Sequence, residues 1–479
     1  MTDPQSAPAA TYPIYAQDAS KANRLIVSAN LRFDHVLDAE KLKLSLSKLL
    51  QIGHWRKLTG RLRKQHNGDW ELRVPDKVTP DHPDFAFRHT IYEECIAHHP
   101  VGKAYPTPTQ TASTQSLNKA IHPLLVPPDF PSTFDEMVQR EWPQLSLFVS
   151  SFHDATIVSI LWPHTLWDAS ALQSFLRNWS LVMAGKEQQV DSVFSSCDDP
   201  LQPIDSLPDA QLPHVLESQG MPWWKVFVFG FCFVWRLLTS PKPEKRFVYL
   251  PETSLERLRS RTMAEAIDAS KDLKIFLTEG DIVTAWLARA VVTATQKRVA
   301  ATIVDVVDLR SRLTFLETRP TVYLQNLLAM ATTTVSAAQM RSSVGSIALL
   351  RRRALSSQLA EREITKLVRK LRSAARRGSL PPVFYGSSRA VIIPFNNVSR
   401  SNYMDATDFG PAVLRSTDSA APEHPPAAKP TFAFTEPISM TSIAGFCFVW
   451  GKDASGGLWL TTSMSKKGWD LLEEDLATL

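Results

Sequence analysis

The run ATIVSILWPHTLWDASALQSFLRNW, residues 155–179, limits the fold more than any other part of the chain. Its first eight residues are apolar or β-branched almost throughout and read as a buried strand. Farther on, Leu172, Phe175, Leu176, Trp179 and Met183 recur at helical spacing and stop at Gly185. A strand therefore hands over to a helix within a few residues, and the handover carries two polar side chains, His164 and Asp168. Upstream, LSLFVSSF (145–152) forms a second strand-like run, and His153 and Asp154 supply the turn between the two.

Around this centre the chain has 479 residues, too many for one hydrophobic core, so two domains are expected. The boundaries read as 1–185, a polar crossover connection over 186–245, and 246–479. Apolar residues make up 44% and charged residues 21%, as in ordinary folded proteins. A net charge of +5 argues weakly for anionic ligands and against nucleic acid. Cys95, Cys197, Cys232 and Cys447 form no CxxC pair and no metal-spaced cluster. They read as free thiols of a reducing, cytoplasmic compartment. The N-terminus has no basic segment leading into an apolar run, so no secretory signal is expected. WWKVFVFGFCFVWRLL (223–238) is too short to span a bilayer. The first expectation is a buried or docked segment, and the second a surface contact with a membrane or a greasy substrate.

Other elements are also legible. Leu42, Leu46, Leu49 and Leu50 share one face of a helix, and DWELRVP reads as a short strand. Residues 100–131, rich in Thr, Ser and Pro, read as loop. KRFVYL, ATIVDVVD and AVIIPFNN read as strands, and PETSLERLRSRT as a helix. Thr278 and Asp281 form a capping pattern before a helix that buries Ile282, Trp286 and Leu287. Residues 337–377 read as helical and basic, and 416–430 as a flexible loop. FCFVWGK and GGLWLTTSM read as a hairpin around Gly456 and Gly457. The basic run from Arg351 to Arg377 reads first as a solvated helix face. A contribution to phosphate binding ranks next and nucleic acid last.

At the handover two readings compete. Asp168 can be the N-cap of the helix and His164 a turn residue. Alternatively, a histidine on a rigid strand end is a proton acceptor that titrates near neutrality. No serine or cysteine elbow such as G-x-S-x-G is present, so the second reading is a general base in direct transfer.

HTLWD (164–168) resembles the H-x-x-x-D motif of BAHD acyltransferases, and supporting segments follow in family order. LKLSLSKLLQIGHWRKLTGRL resembles the family's N-terminal helix, DIVTAWLAR the helix opening its second half, VDLRSRL its D-x-R-x-R, and YLQN (323–326) its Y-x-G-N. SVGSIALLRR is similar to a later helix, and NNVSRSNYMDATDFGPA to the segment ending in D-F-G-W-G. The proline-interrupted, tryptophan-rich style resembles the fungal branch, near the trichothecene acetyltransferases. Ala169 stands where the family often has glycine, and Pro411 and Ala412 replace the last two residues of D-F-G-W-G.

The resemblance implies an α/β fold of two chloramphenicol-acetyltransferase-like domains with a central tunnel between them. It implies an acyl-CoA-dependent O-acyltransferase of fungal secondary metabolism, acetyl first among donors, acting on a hydrophobic small-molecule acceptor. His164 is then the general base. Asp168 is scaffolding, held by Arg310 or Arg312, and Asp408 and Gly410 are structural. Asn396 or Asn397 is the candidate oxyanion donor in place of the family's hydroxyl residue. Both asparagines can equally cap a strand end. Acyl-CoA is a co-substrate rather than a bound cofactor, no metal is expected, and a monomer is. The alternatives are a carrier-protein thioester as donor, recruitment to cyclisation or elimination, and a non-catalytic binding protein.

Overall fold

The computed structural model describes residues 11–15, 17–66, 68–75, 79, 82–116, 119–194, 199–295, 297–317, 321–377, 385–416, 427–439 and 444–479. Two open sheets organise it. The first has five strands in the order Phe432–Pro437, Ile26–Phe33, Thr156–Pro163, Ser146–Ser151, Ala86–Ile91. The second has seven, in the order Leu328–Val335, Ala301–Asp308, Val391–Asn397, Cys447–Lys452, Leu458–Met464, Glu244–Leu250, Ser113–Ser116.

Strand Thr156–Pro163 is central in its sheet and buried at every position, which explains its unbroken apolar character. It pairs antiparallel with Ser146–Ser151. The Asp154 carboxylate in the turn accepts the Ile96 N–H at 2.8 Å. Helix Ala169–Met183 packs on helix Ala39–Leu50, with Leu42, Leu46, Leu49, Leu50, Leu172 and Phe175 fully enclosed. Between them the Trp179 indole donates to Ser45 Oγ at 2.9 Å.

In the second unit, Thr278 and Asp281 close a reciprocal capping box on helix Glu279–Ala294. The buried Arg351 guanidinium bonds Asp281 and Asp305, each at 2.6 Å. Helix Val344–Gln358 crosses helix Glu252–Ser270 in backbone contact at Gly345, where a Cβ would lie 2.4 Å from the Ala266 nitrogen.

Several expectations need correction. The 100–131 stretch is not all loop: Ser113–Ser116 pairs with Glu244–Leu250 as an edge strand. Four polar residues carry no apolar pattern that would betray it. Conversely, Phe432–Pro437 crosses back to pair with Ile26–Phe33. Contiguous blocks at 1–185 and 246–479 therefore do not describe the sheets, which exchange one strand each way.

The basic run is not simply a solvated face. Arg351 is buried, Lys366 pairs with Glu363, Lys370 with Glu217, and Arg372 with Asp199 and Asp205. Residues 223–238 are docked rather than buried: they lie in helix Trp223–Thr239, in which no residue is buried, and Arg236 ties the helix to the Ala390 carbonyl at 2.7 Å. Cys95, Cys232 and Cys447 are free thiols. Cys197, and most of the loop expected at 416–430, lie outside the described residues.

Candidate active site

The central strand fixes His164. Pro163 is its last residue, opposite Ile26. The ladder continues one step farther, with the His164 N–H donating to the Leu25 carbonyl at 2.8 Å. The chain then turns tightly, with Leu166 N–H on the Pro163 carbonyl at 2.8 Å, and Trp167 drops into the core beside Trp162 and Phe175. This locks the backbone on both sides of the imidazole. His164 itself is half-buried. Its Nδ1 is enclosed without a hydrogen-bond partner, which leaves Nε2 as the nitrogen on the open side. Burial pushes its pKa below the usual histidine value, more than its own carbonyl, the Asp168 charge and Asn326 raise it. Burial thus favours the neutral ring, the form that accepts a proton.

Asp168 does two jobs with two oxygens. Oδ1 accepts the Ala171 N–H at 3.1 Å and caps the motif helix. Oδ2 accepts Arg310 Nη1 at 3.0 Å and the Leu327 N–H at 2.9 Å. The two readings of Asp168 thus merge. Arg310 spends its whole fork here: it also donates to Asp308 Oδ1 at 2.9 Å, to the Tyr323 carbonyl and to the Gln325 carbonyl at 2.8 Å. Burial opposes its charge, but the Asp168 and Asp308 carboxylates outweigh that and hold its proton more tightly than usual. Ser170 Oγ donates to the other oxygen of Asp308 at 2.8 Å.

The pinned 323–327 segment returns to the histidine. Asn326 Nδ2 donates to the His164 carbonyl at 2.8 Å and to Asp18 Oδ1 at 2.8 Å. Asp18 also accepts the Asn326 N–H at 2.8 Å and Gln325 Nε2 at 3.3 Å. Deep burial nevertheless pushes the Asp18 carboxyl up to about 7. A cavity of about 70 Å³ adjoins Arg310, lined by Phe194, Leu316, Thr321, Tyr323 and Leu327. That is far below the several hundred Å³ of a substrate pocket. Among the described residues no cluster of His, Cys, Asp or Glu is placed to hold a metal.

The sequence is 31% identical to the O-acetyltransferase PaAT-2 of Phomopsis amygdali, over 96% of each chain. It is 30% identical to the acetyltransferase pyiB of Pyricularia grisea, over 95% of this chain and 90% of that one. The fold matches TRI101 of F. graminearum, complexed with ethyl coenzyme A, at a TM-score of 0.64 over 98% of this chain and 97% of that one, with 12% identity. It matches vinorine synthase at 0.61 over 100% and 95%, with 16% identity.

The chain belongs to the fungal BAHD-like acyltransferases.

No family model matches this acyltransferase. Its fold is that of two chloramphenicol-acetyltransferase-like units, with neither sheet closed into a barrel.

Of the remaining candidates in this BAHD-like enzyme, Arg312 does not reach Asp168. It is half-buried near Arg400 and Arg352, and burial together with those charges lowers its pKa. The partner is Arg310. Asp408 accepts the Gly410 N–H at 2.9 Å and the Ala428 N–H at 3.0 Å. Its own N–H donates to Ser180 on the motif helix at 2.9 Å, and Phe409 packs on Trp179. The Ala412 carbonyl accepts the Asp38 N–H at 2.7 Å, which docks the DFGPA segment on the first helix.

Asn397 is occupied as a turn cap: its Oδ1 accepts the Ser399 N–H at 3.0 Å and the Ser399 hydroxyl at 2.6 Å. Its amide nitrogen faces Gly280. Asn396 sits in register with Val306, near the end of the sheet from which the 323–327 segment leaves. No hydrogen bond joins either asparagine to His164. Sequence reasoning missed Asp18, for which no motif gave a signal, and the grip of Asn326, which YLQN could have signalled.

Proposed function

We propose that this acyltransferase moves an acyl group, acetyl first among candidates, from CoA directly to a hydroxyl of a hydrophobic fungal secondary metabolite. His164 is the base. Its Nε2 takes the hydroxyl proton as the oxygen attacks the thioester carbonyl. It returns that proton to the sulfur as the tetrahedral intermediate collapses to ester and CoA thiol. The observation that carries this reading is a half-buried imidazole with one shielded nitrogen and a backbone held from both sequence halves, in surroundings whose burial favours the neutral ring. Asn396 and Asn397 are both proposed as oxyanion donors, because the turn at Ser399 occupies only the Asn397 Oδ1 acceptor and leaves its Nδ2 donor. CoA as donor is supported by the coenzyme A complexes of the structurally similar TRI101. TRI101 complexes with T-2 illustrate the class of acceptor.

The test pairs calorimetric titration with acetyl-CoA and mass-spectrometric screening of acceptors. We expect one saturable donor site and acetylated products. His164→Ala should fold, bind acetyl-CoA and lose at least about 100-fold in turnover. Near-normal turnover in that variant would remove His164 from the chemistry.

A further inference from the structure

We propose that helix Trp223–Thr239 is an in-plane membrane anchor that seats the enzyme on a lipid surface carrying anionic headgroups. The inference rests on this helix alone and stands apart from the transfer chemistry.

An exposed helix of a soluble domain ordinarily shows polar residues to water. This one shows the reverse. Trp223, Phe227, Phe231, Val234 and Leu238 follow one another at intervals of four, four, three and four, and form a single outward stripe with exposures of 83%, 76%, 65%, 51% and 77%. Trp224, Phe233, Trp235 and Leu237 widen it on both flanks, each at least half exposed. The less exposed face, Lys225, Phe229, Cys232 and Arg236, turns toward the protein. More than half of the circumference is therefore apolar and uncovered, beyond the scattered single residues that need no explanation.

Chemistry selects the occupant. A docking surface for another protein carries a polar rim. Here the flanks are tryptophan and phenylalanine. Between Glu217 and Glu244 there is no acidic residue; Arg236 is committed to protein carbonyls, and half-buried Lys225 and exposed Lys242 are the cations left beside the two ends of the helix. Tryptophans stand at both ends of the apolar core, the position favoured at the headgroup level. Basic charge, indoles at the ends and phenylalanines between them match the boundary of an anionic leaflet.

Geometry excludes a crossing. Val226 to Trp235, the uncharged stretch between Lys225 and Arg236, spans only about 15 Å as helix against about 30 Å of hydrocarbon. Among the described residues no helix is long and apolar enough to cross. The helix is also tied down at both ends. Ahead of it Gly220 bridges to Tyr385, and near its end Arg236 donates to the Ala390 carbonyl at 2.7 Å and the Arg389 carbonyl at 2.5 Å. These ties fix it at the start of strand Val391–Asn397, about 17 Å from Asn396 at the other end. The anchor thus lies at the end of the second sheet remote from the His164 motif, which keeps that motif out of the lipid.

The experiment is vesicle flotation of the full chain with phosphatidylcholine alone and with about 30% phosphatidylserine. We expect the protein to float with the vesicles, more strongly with the anionic ones, and to be released by alkaline carbonate. Phe227→Ser with Phe231→Ser should reduce binding at least about tenfold and leave the melting temperature unchanged, because both side chains are exposed in the free protein. Three results would overturn the proposal. The wild type could stay unbound with both vesicle types. Binding could survive carbonate, which would mean a span. Or the same two substitutions could dissociate a dimer of this chain while vesicle binding is absent, which would make the stripe a contact between copies.

Discussion

Asn326 Nδ2 donates to the carbonyl oxygen of His164 at 2.8 Å, a bond that reaches across 162 positions from the second half of the chain to the first. It holds the backbone of the histidine rather than its ring. Asn326→Ala should therefore lower kcat by ~10- to 100-fold through misplacement of the imidazole, while KM for acetyl-CoA stays near the wild-type value. Steady-state kinetics with the donor varied checks this split. The Asp18 carboxyl loses a donor in the same variant, so a stability loss of ~1–3 kcal/mol should appear in denaturant titration.

The pH dependence of the rate follows from burial of the imidazole. The His164 pKa lies below the ordinary histidine value, so its neutral form persists into mildly acidic solution. The acid limb of kcat/KM should fall below pH 6.5. A limb above that value would contradict the role of a buried neutral base.

Arg310 and Arg312 lie two residues apart and differ in what they hold. Arg310→Ala removes the partner of the buried Asp168 carboxylate and should cost ~3–5 kcal/mol. Arg312→Ala relieves proximity to Arg400 and Arg352 and should cost much less. Thermal denaturation of the two variants side by side tests the assignment.

Asp18 gives a separate signature in stability. Burial raises its folded-state pKa to about 7, above the ordinary value of 3.8. The folded state therefore keeps a proton that the unfolded chain has lost. Its contribution is complete below 3.8 and disappears as pH rises through about 7. Asp18→Asn should flatten this part of the stability–pH curve, measured by chemical denaturation across that range.

What the sequence disclosed tracks the range of the interactions involved. Strand Thr156–Pro163 and helix Ala169–Met183 were legible because burial imposes local periodicity. The Thr278–Asp281 box was legible because it closes within one turn. Asp18 was not, since its value comes from Asn326, more than 300 positions away. The choice of Arg310 over Arg312 depends on the path of residues 323–327. The edge strand Ser113–Ser116 is held by backbone pairing, to which its side chains contribute no pattern. The aromatic helix was ambiguous for another reason. Apolar composition reports what avoids water, not which surface covers it, so burial, docking and an outward contact were all open from the sequence.

The exchange of strands Ser113–Ser116 and Phe432–Pro437 governs how this enzyme can be recombined. A gene fusion joined within the 186–245 connection would give each sheet a foreign edge strand, paired by backbone but unmatched in its side chains. Chimeras that respect the architecture must move both strands with their host sheets, so useful cut points come in sets. Swapping whole halves between relatives requires four junctions beyond the central one, two around each travelling segment, and the second segment must include Val413–Ser416, which pairs with His35–Leu37.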